Sequence, residues 1–578
     1  MLPLISRRRA LLGMASLGLT AAASPDDLGF VSVADFGVRP GMDDAGPGVR
    51  AAIARLGKRP GAVLHFPPGM YRFAAREGVA MLFDDMDHLT VEGEGATLLF
   101  NGTVAPVLMR GCRAPVLHGL TFDWERPPFS QGEVIAVGLD GRSVTIRIDP
   151  EFPVDGGETI RELGTYDRRT RAMAKHGIDV GNVVAGAILV APQTLLLTLK
   201  WRVPFTIGDT VVARHQGGPS VIHLERCRDF VLSNLAIHAA PAIAIGIGGC
   251  DGGTVSGVRV EQQPGSARLM SSNADGLHCA SCSGDLTITD CTFSGMGDDG
   301  INVTGLYLAV EPDKAQQRLI LTGGQYAPAP PWAAPRIGDR LRLVSGSTLK
   351  PIDEVQAQSV EPLDGGRWAV QVPADHIGLS SEPMFAIDLR ARTRLLVSRC
   401  AFPGNRARGV LAHSDAIVER SSFEHQSDSA ILLAPDLYWQ EGPAIEQTVV
   451  RGNLIQAANL LARTPAAILV GAFVAPAGRP GVPTSTIINR NVAIEGNHFL
   501  QPNGAAISAA ATRDLRIEEN RIEQASSIAF SLHHVRAARL SGNRCDPRAV
   551  VQVDAKSRGE LIMDGNAGLG LEIDRRDD

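Results

Sequence analysis

Residues 492–522 read VAIEGNHFLQPNGAAISAAATRDLRIEENRI. From Val492 to Phe499, and again from Asp514 to Ile522, apolar and polar residues alternate, pass through an asparagine and close on a large apolar residue. Alternation with period two marks a strand with one face turned to a core. Between the two copies, Ala505-Ala-Ile-Ser508 forms a second short strand signal. The pattern returns at Asp229–Ile237, Asp285–Phe293, Arg394–Phe402 and Ala416–Phe423, passing through Asn, Cys or Ser. Copies at 394 and 416, and at 492 and 514, stand 22 residues apart. One such coil cannot bury its own inner face, whereas coils stacked about 4.8 Å apart bury a continuous column. The expected fold is all-β: a right-handed parallel β-helix carrying two small β-barrel-like insertions.

Composition agrees with many short strands and tight turns: 62 Gly, 5% aromatic and 44% hydrophobic residues in 578. A net charge of −6 without a basic stripe offers no footprint for nucleic acid. The first 24 residues read as an export signal. Arg7, Arg8 and Arg9 precede the apolar stretch Ala10–Leu19, and Ala21-Ala-Ala23 follows. The paired arginines resemble the twin-arginine signal, and an ordinary secretory signal leads to the same destination. Periplasmic or extracellular localisation in a bacterium is expected, with no membrane attachment after cleavage. Eight scattered cysteines make no disulfide framework, and the lone Cys279-x-x-Cys282 lacks the partners of a zinc set.

The expected organisation is a signal peptide over 1–24, then an N-terminal cap and first coils over 25–131. A first insertion covers 132–216, coils return over 217–306, a second insertion covers 307–392, and C-terminal coils fill 393–578. The insertions share a closing pattern, Ile207-Gly-Asp209 and Ile337-Gly-Asp339. A helix-like stretch from Val49 to Leu56 is placed to plug the open end of the column.

The richest polar segment, Ser271–Gly305, reads SSNADGLHCASCSGDLTITDCTFSGMGDDGINVTG. Asp275 and Asp298 stand about one coil apart, which puts them on neighbouring rungs, and Asp299 follows at once. Gly297 and Gly300 are expected to supply the backbone freedom that lets both aspartates face one cleft. Three crowded carboxylates do not all ionise easily, so an acid forms beside bases. A solvated turn or a calcium site is the plainer reading of Asp-Asp between glycines. Asn273, His278 and Asn302 on the same face favour a catalytic one.

The Asn273-x-Asp275-Gly276 and Asp298-Asp299 pair resembles the polygalacturonases, β-helix enzymes with three aspartates. Asn405-Arg406-Ala407-Arg408-Gly409 stands where their Gly-His-Gly and Arg-Ile-Lys elements would follow, which argues against a galacturonate substrate. Together with Tyr438-Trp439-Gln440-Glu441-Gly442 and Asp123-Trp124-Glu125-Arg126-Pro127, these motifs resemble family 110 of the glycoside hydrolases, exo-acting α-1,3-galactosidases. The resemblance implies an inverting hydrolase with Asp298 as general acid and Asp275 and Asp299 holding the attacking water. On the sequence alone the three roles can be permuted. Inversion calls for carboxyls roughly 6.5–9.5 Å apart, a gap that one rung plus side-chain reach supplies. His278, Asn302, Arg406, Arg408 and Glu441 are expected to address a terminal α-galactoside, with Trp439 and Trp124 stacking on the sugar ring. No cofactor and no metal is expected. A calcium-dependent lyase and a carbohydrate-binding adhesin are the competing readings.

Overall fold

A computed structural model describes residues 29–215, 217–323, 328–373, 382–476, 479 and 481–574; the expected signal lies outside them. The chain winds into a parallel β-helix with three parallel sheets. In the first, Leu277 pairs with Ile301, Ile301 with Val410, Val410 with Ile431 and Ile431 with Ile468. In the second, Leu286, Leu395, Ala416, Thr448 and Val492 stand in register. In the third, Phe402, Phe423, Ile455, Phe499 and Ile522 do. Leu395 pairs with Ala416 and Val492 with Leu515, so the coils depart by one residue either way from a uniform 22-residue step. Turn length varies at the corners while the inward strand residues keep their register.

Each inward residue stacks on its equivalent one rung away, and one apolar core runs from Val31 to Leu561. Phe293, Phe402 and Phe423 stack with centroids 5.7 and 4.7 Å apart. The asparagine that ends each strand signal also stacks. Nδ2 of Asn453, Asn497, Asn520 and Asn543 each donates to Oδ1 of the next asparagine, the last being Asn566, at 2.9–3.0 Å. This ladder satisfies buried amides that would otherwise cost folding energy. Cys112, Cys227, Cys250 and Cys282 line another buried corner, between the first and second sheets, with backbone N–H groups of Cys227 and Cys250 donating to the next sulfur at 3.3 and 3.2 Å. Cys282 thus serves as a small core residue.

The helix Gly46–Leu56 has proline in its first turn and buries Val49, Ala52 and Leu56 at helical spacing against the first strands, closing that end of the column. An antiparallel sheet with its own core spans Phe129–Val137 to Thr210–His215. It leaves and rejoins the coils at the corner between the third and first sheets. The second insertion begins inside a strand: Ile301–Asp313 pairs as a rung with Leu277–Ala280, then from Tyr307 runs antiparallel to Met384–Asp388.

Candidate active site

The corner between the third and first sheets carries the three aspartates. On successive rungs, Asp275-Gly276, Asp299-Gly300 and Arg408-Gly409 occupy equivalent places. Gly276 N–H donates to Asp299 O at 2.9 Å, and Gly300 N–H to Arg408 O at 2.8 Å. The glycines are required by space rather than by backbone angle. A Cβ on Gly276, Gly300 or Gly409 would meet the Phe293, Phe402 or Phe423 ring at 2.5, 2.7 and 2.4 Å, and on Gly297 it would meet Asn273 O at 2.5 Å. The phenylalanine stack and the polar corner therefore press on one another. Bulk inside fixes the backbone that presents the carboxylates.

Each carboxylate also binds the next rung. Asp275 Oδ1 accepts from Asp299 N–H at 3.1 Å and Asp299 Oδ1 from Arg408 N–H at 2.9 Å. Asp275 Oδ2 accepts from His278 Nδ1 at 2.7 Å. Arg408 Nη1 lies 3.4 Å from both Asp299 oxygens, and its Nη2 lies 3.8 Å from Asp428. Asp275 and Asp299 are buried, whereas the Asp298 side chain keeps 44% of its exposure, with Arg406 Nη1 at 3.9 Å. An oxygen of each aspartate lies within 4.8 Å of one on the other two. The same oxygens form the one set in this corner able to hold a cation jointly.

Burial pushes the Asp275 carboxyl above the usual range, against the pull of His278, and burial pushes Asp299 well above it despite Arg408. His278 moves the opposite way from its own burial: the hydrogen bond and charge of Asp275 raise it to about 9, so it is an imidazolium at neutral pH. Burial would lower Arg406 and Arg408, but the carboxylates around them raise both.

Asn302, in register with His278, donates from Nδ2 to Glu441 Oε1 at 3.1 Å, and Glu441 Oε2 meets His413 Nε2 at 3.0 Å. Asn302 Oδ1, Arg408 Nε and Asp428 Oδ1 are buried polar atoms without a protein hydrogen-bond partner. Such atoms around one corner are what sugar hydroxyls would satisfy. Trp439 is 53% exposed and flanks the cleft. Trp124 does not: it is buried in the column core, with Nε1 donating to Gly102 O at 3.0 Å. Its place in a strand of the third sheet turns the indole inward, which corrects the expectation that it stacks on a sugar.

The first insertion supplies residues that no local motif announced. Arg214 Nη1 donates to Asn273 O at 2.8 Å and to Gly297 O at 2.5 Å, tying two rungs of the candidate site together. Asp179 receives Arg406 at 2.9 Å and Arg463 at 2.6 Å. Glu162 is ion-paired with Arg214. These partners lie up to 284 residues apart in the chain. Asp428 was within reach of coil counting, since it stands two rungs after Asp298 in the equivalent place.

Residues 208–311, which hold all three aspartates, match the family model described as glycosyl hydrolases family 28. The chain is 25% identical over 519 residues to the alpha-1,3-galactosidase A of Shewanella woodyi, covering 83% of this chain and 84% of that one. It is 27% identical over 497 residues to an alpha-1,3-galactosidase B of Bacteroides fragilis, covering 76% and 82%. Among solved structures, the family 28 exopolygalacturonase of Yersinia enterocolitica aligns over 93% of this chain and 78% of its own, with 10% identity and a TM-score of 0.44. Over most of its length this chain is a homologue of proteins named alpha-1,3-galactosidase.

Proposed function

We propose that this protein is an exported glycoside hydrolase that removes terminal α-1,3-linked galactose, acting from the chain end and with inversion. The observation that carries the hydrolase is one accessible carboxylate, Asp298, set beside two buried ones on adjoining rungs. The linkage and the sugar come from the named relatives. Export rests on residues 1–24 of the sequence.

Asp298 is assigned as general acid on access: it stands at the rim, where a leaving oxygen can reach it. Asp275 and Asp299 accept hydrogen bonds on one oxygen each from the next rung, and their raised affinity for protons suits a base that takes one from water. Charge developing on the sugar ring would face this carboxylate group, and Arg406, Arg408 and His278 offset the crowding in the resting state. Those three cations also leave little net charge to attract a divalent ion, so the reaction is assigned to the carboxylates alone. End-on action is supported by the walls: the first insertion reaches Arg406 and the 273 and 297 rungs, and the second closes the cleft beside His278 with Trp332.

One observation favours a second reading. Aspartate oxygens within 4.8 Å of one another would also suit a retaining site, whose carboxyls stand roughly 5–5.5 Å apart. Inversion is preferred because Asp275 and Asp299 are each clamped by a cation and a backbone N–H, which holds them as water binders rather than free nucleophiles. Incubation with α-galactosides that differ only in linkage, with and without EDTA, tests the activity. Galactose release from the α-1,3 substrate, unchanged by EDTA, is expected. An unsaturated product together with loss of activity in EDTA would identify a lyase instead, and EDTA-sensitive release of galactose would contradict metal independence.

A further inference from the structure

Two cavities open on the outer face of the first sheet, and Trp439 lines both. The smaller, about 310 Å³, lies beside His278 and Trp332. The larger, about 740 Å³, begins at Arg408 and continues toward the C-terminal coils. Its floor is a register of outward residues, Leu432, Leu469, Ser508 and Ser531, on four successive rungs. At about 4.8 Å per rung, that floor runs roughly 14 Å along the helix axis. Its walls include Trp439, Phe473, Arg463 and His533.

Arg408, which touches Asp299, lines the larger cavity, and His278, which touches Asp275, lines the smaller, so the carboxylate corner borders both. A terminal sugar needs room for one ring only. The remainder of the substrate needs a long groove with aromatic walls for ring faces and hydroxyl-bearing side chains for sugar hydroxyls. We propose that the larger cavity is the leaving-group site, and that the substrate is a linear oligosaccharide longer than a disaccharide, laid along the axis over Leu432, Leu469, Ser508 and Ser531. The terminal galactose then occupies the smaller cavity. This rests on the galactosidase reading above. It adds which side of Trp439 each part of the substrate takes and how long the substrate is.

The test compares Galα1-3Gal with a linear pentasaccharide bearing the same terminal galactose on a β-linked tetrasaccharide. The intact protein, Ser531→Trp and Phe473→Ala are assayed with both. The expected result is at least a tenfold higher kcat/KM for the pentasaccharide, with that preference falling toward one in both variants. Ser531 is a half-buried surface position, so Ser531→Trp keeps the test open should Phe473→Ala fail to fold. Equal kcat/KM for the two lengths, or a preference that survives in the folded variants, would overturn the assignment. If neither compound releases galactose, the galactosidase reading fails, and calorimetry with the bare tetrasaccharide decides the groove. Binding weakened at least tenfold by Ser531→Trp upholds it, and absent or unchanged binding overturns it.

Discussion

The carboxylate of Asp275 accepts a hydrogen bond from the backbone N–H of Asp299 at 3.1 Å, one rung of the β-helix away. Asp299 repeats the contact with Arg408 at 2.9 Å. The candidate site is therefore a ladder in which Asp275 and Asp299 each fix the backbone of the next rung, and of the three aspartates Asp298 is the one that projects toward solvent. Replacing Asp298 by Asn keeps the shape and removes the proton donor. A fall in kcat of about 10²–10⁴ is expected, with thermal unfolding and substrate KM close to those of the parent. Steady-state kinetics and a melting curve on the same preparation check both halves.

The imidazolium of His278 is held by Asp275. Its pKa in the fold, about 9, stands above the ordinary histidine value of 6.5. A raised histidine contributes stability that is complete below the unfolded value and lost as pH rises through the folded one. The melting temperature of the parent should exceed that of His278→Gln by a constant margin below about pH 6.5, and the margin should shrink as pH rises from there to about 9 and level off above it. A margin that grows with alkalinity would mean that His278 is neutral and that Asp275 has another counter-charge.

Arg408 spans Asp299 and Asp428 with its two terminal nitrogens, at 3.4 and 3.8 Å. Lysine keeps the charge but offers one point where the guanidinium offers a planar fork. Arg408→Lys is expected to lose at least tenfold in kcat/KM while staying folded, since its charge still offsets the buried Asp299. Full activity in Arg408→Lys would show that Arg408 acts through charge alone.

Trp124 and Trp439 make a contrasting pair. Trp124 fills the core beside Phe100, with ring centroids 5.5 Å apart, so Trp124→Ala should cost about 3–5 kcal/mol of stability. Trp439 is half exposed and stands between the two cavities. Trp439→Ala should raise KM roughly tenfold, the value of about 1.4 kcal/mol of lost binding, with little change in melting temperature.

These differences mark what the sequence could disclose. Strand alternation and the coil step identify a β-helix because stacking forces equivalent residues into equivalent places, as with Leu395 and Ala416. The same stacking made the grouping of Asp275 with Asp298-Asp299 readable. Trp124 was misplaced because inward and outward positions of a strand differ by a single residue, and a motif gives no phase. Arg214, Asp179 and Glu162 were hidden because a folded insertion brings them to the corner from outside the repeat. The glycines serve space rather than torsion: Gly300 faces Gly409 O and the Phe402 ring, so its lack of a side chain matters more than its torsional freedom. Gly300→Ala should accordingly displace Asp299 and cost about 1–3 kcal/mol of stability along with most of the activity.

Inverting hydrolysis of terminal α-1,3-linked galactose is tested most directly by proton NMR of the first galactose released from Galα1-3Gal. β-Galactose is expected first, with the α anomer growing in only by mutarotation. α-Galactose appearing first would rule out inversion, and no release of galactose would rule out the galactosidase.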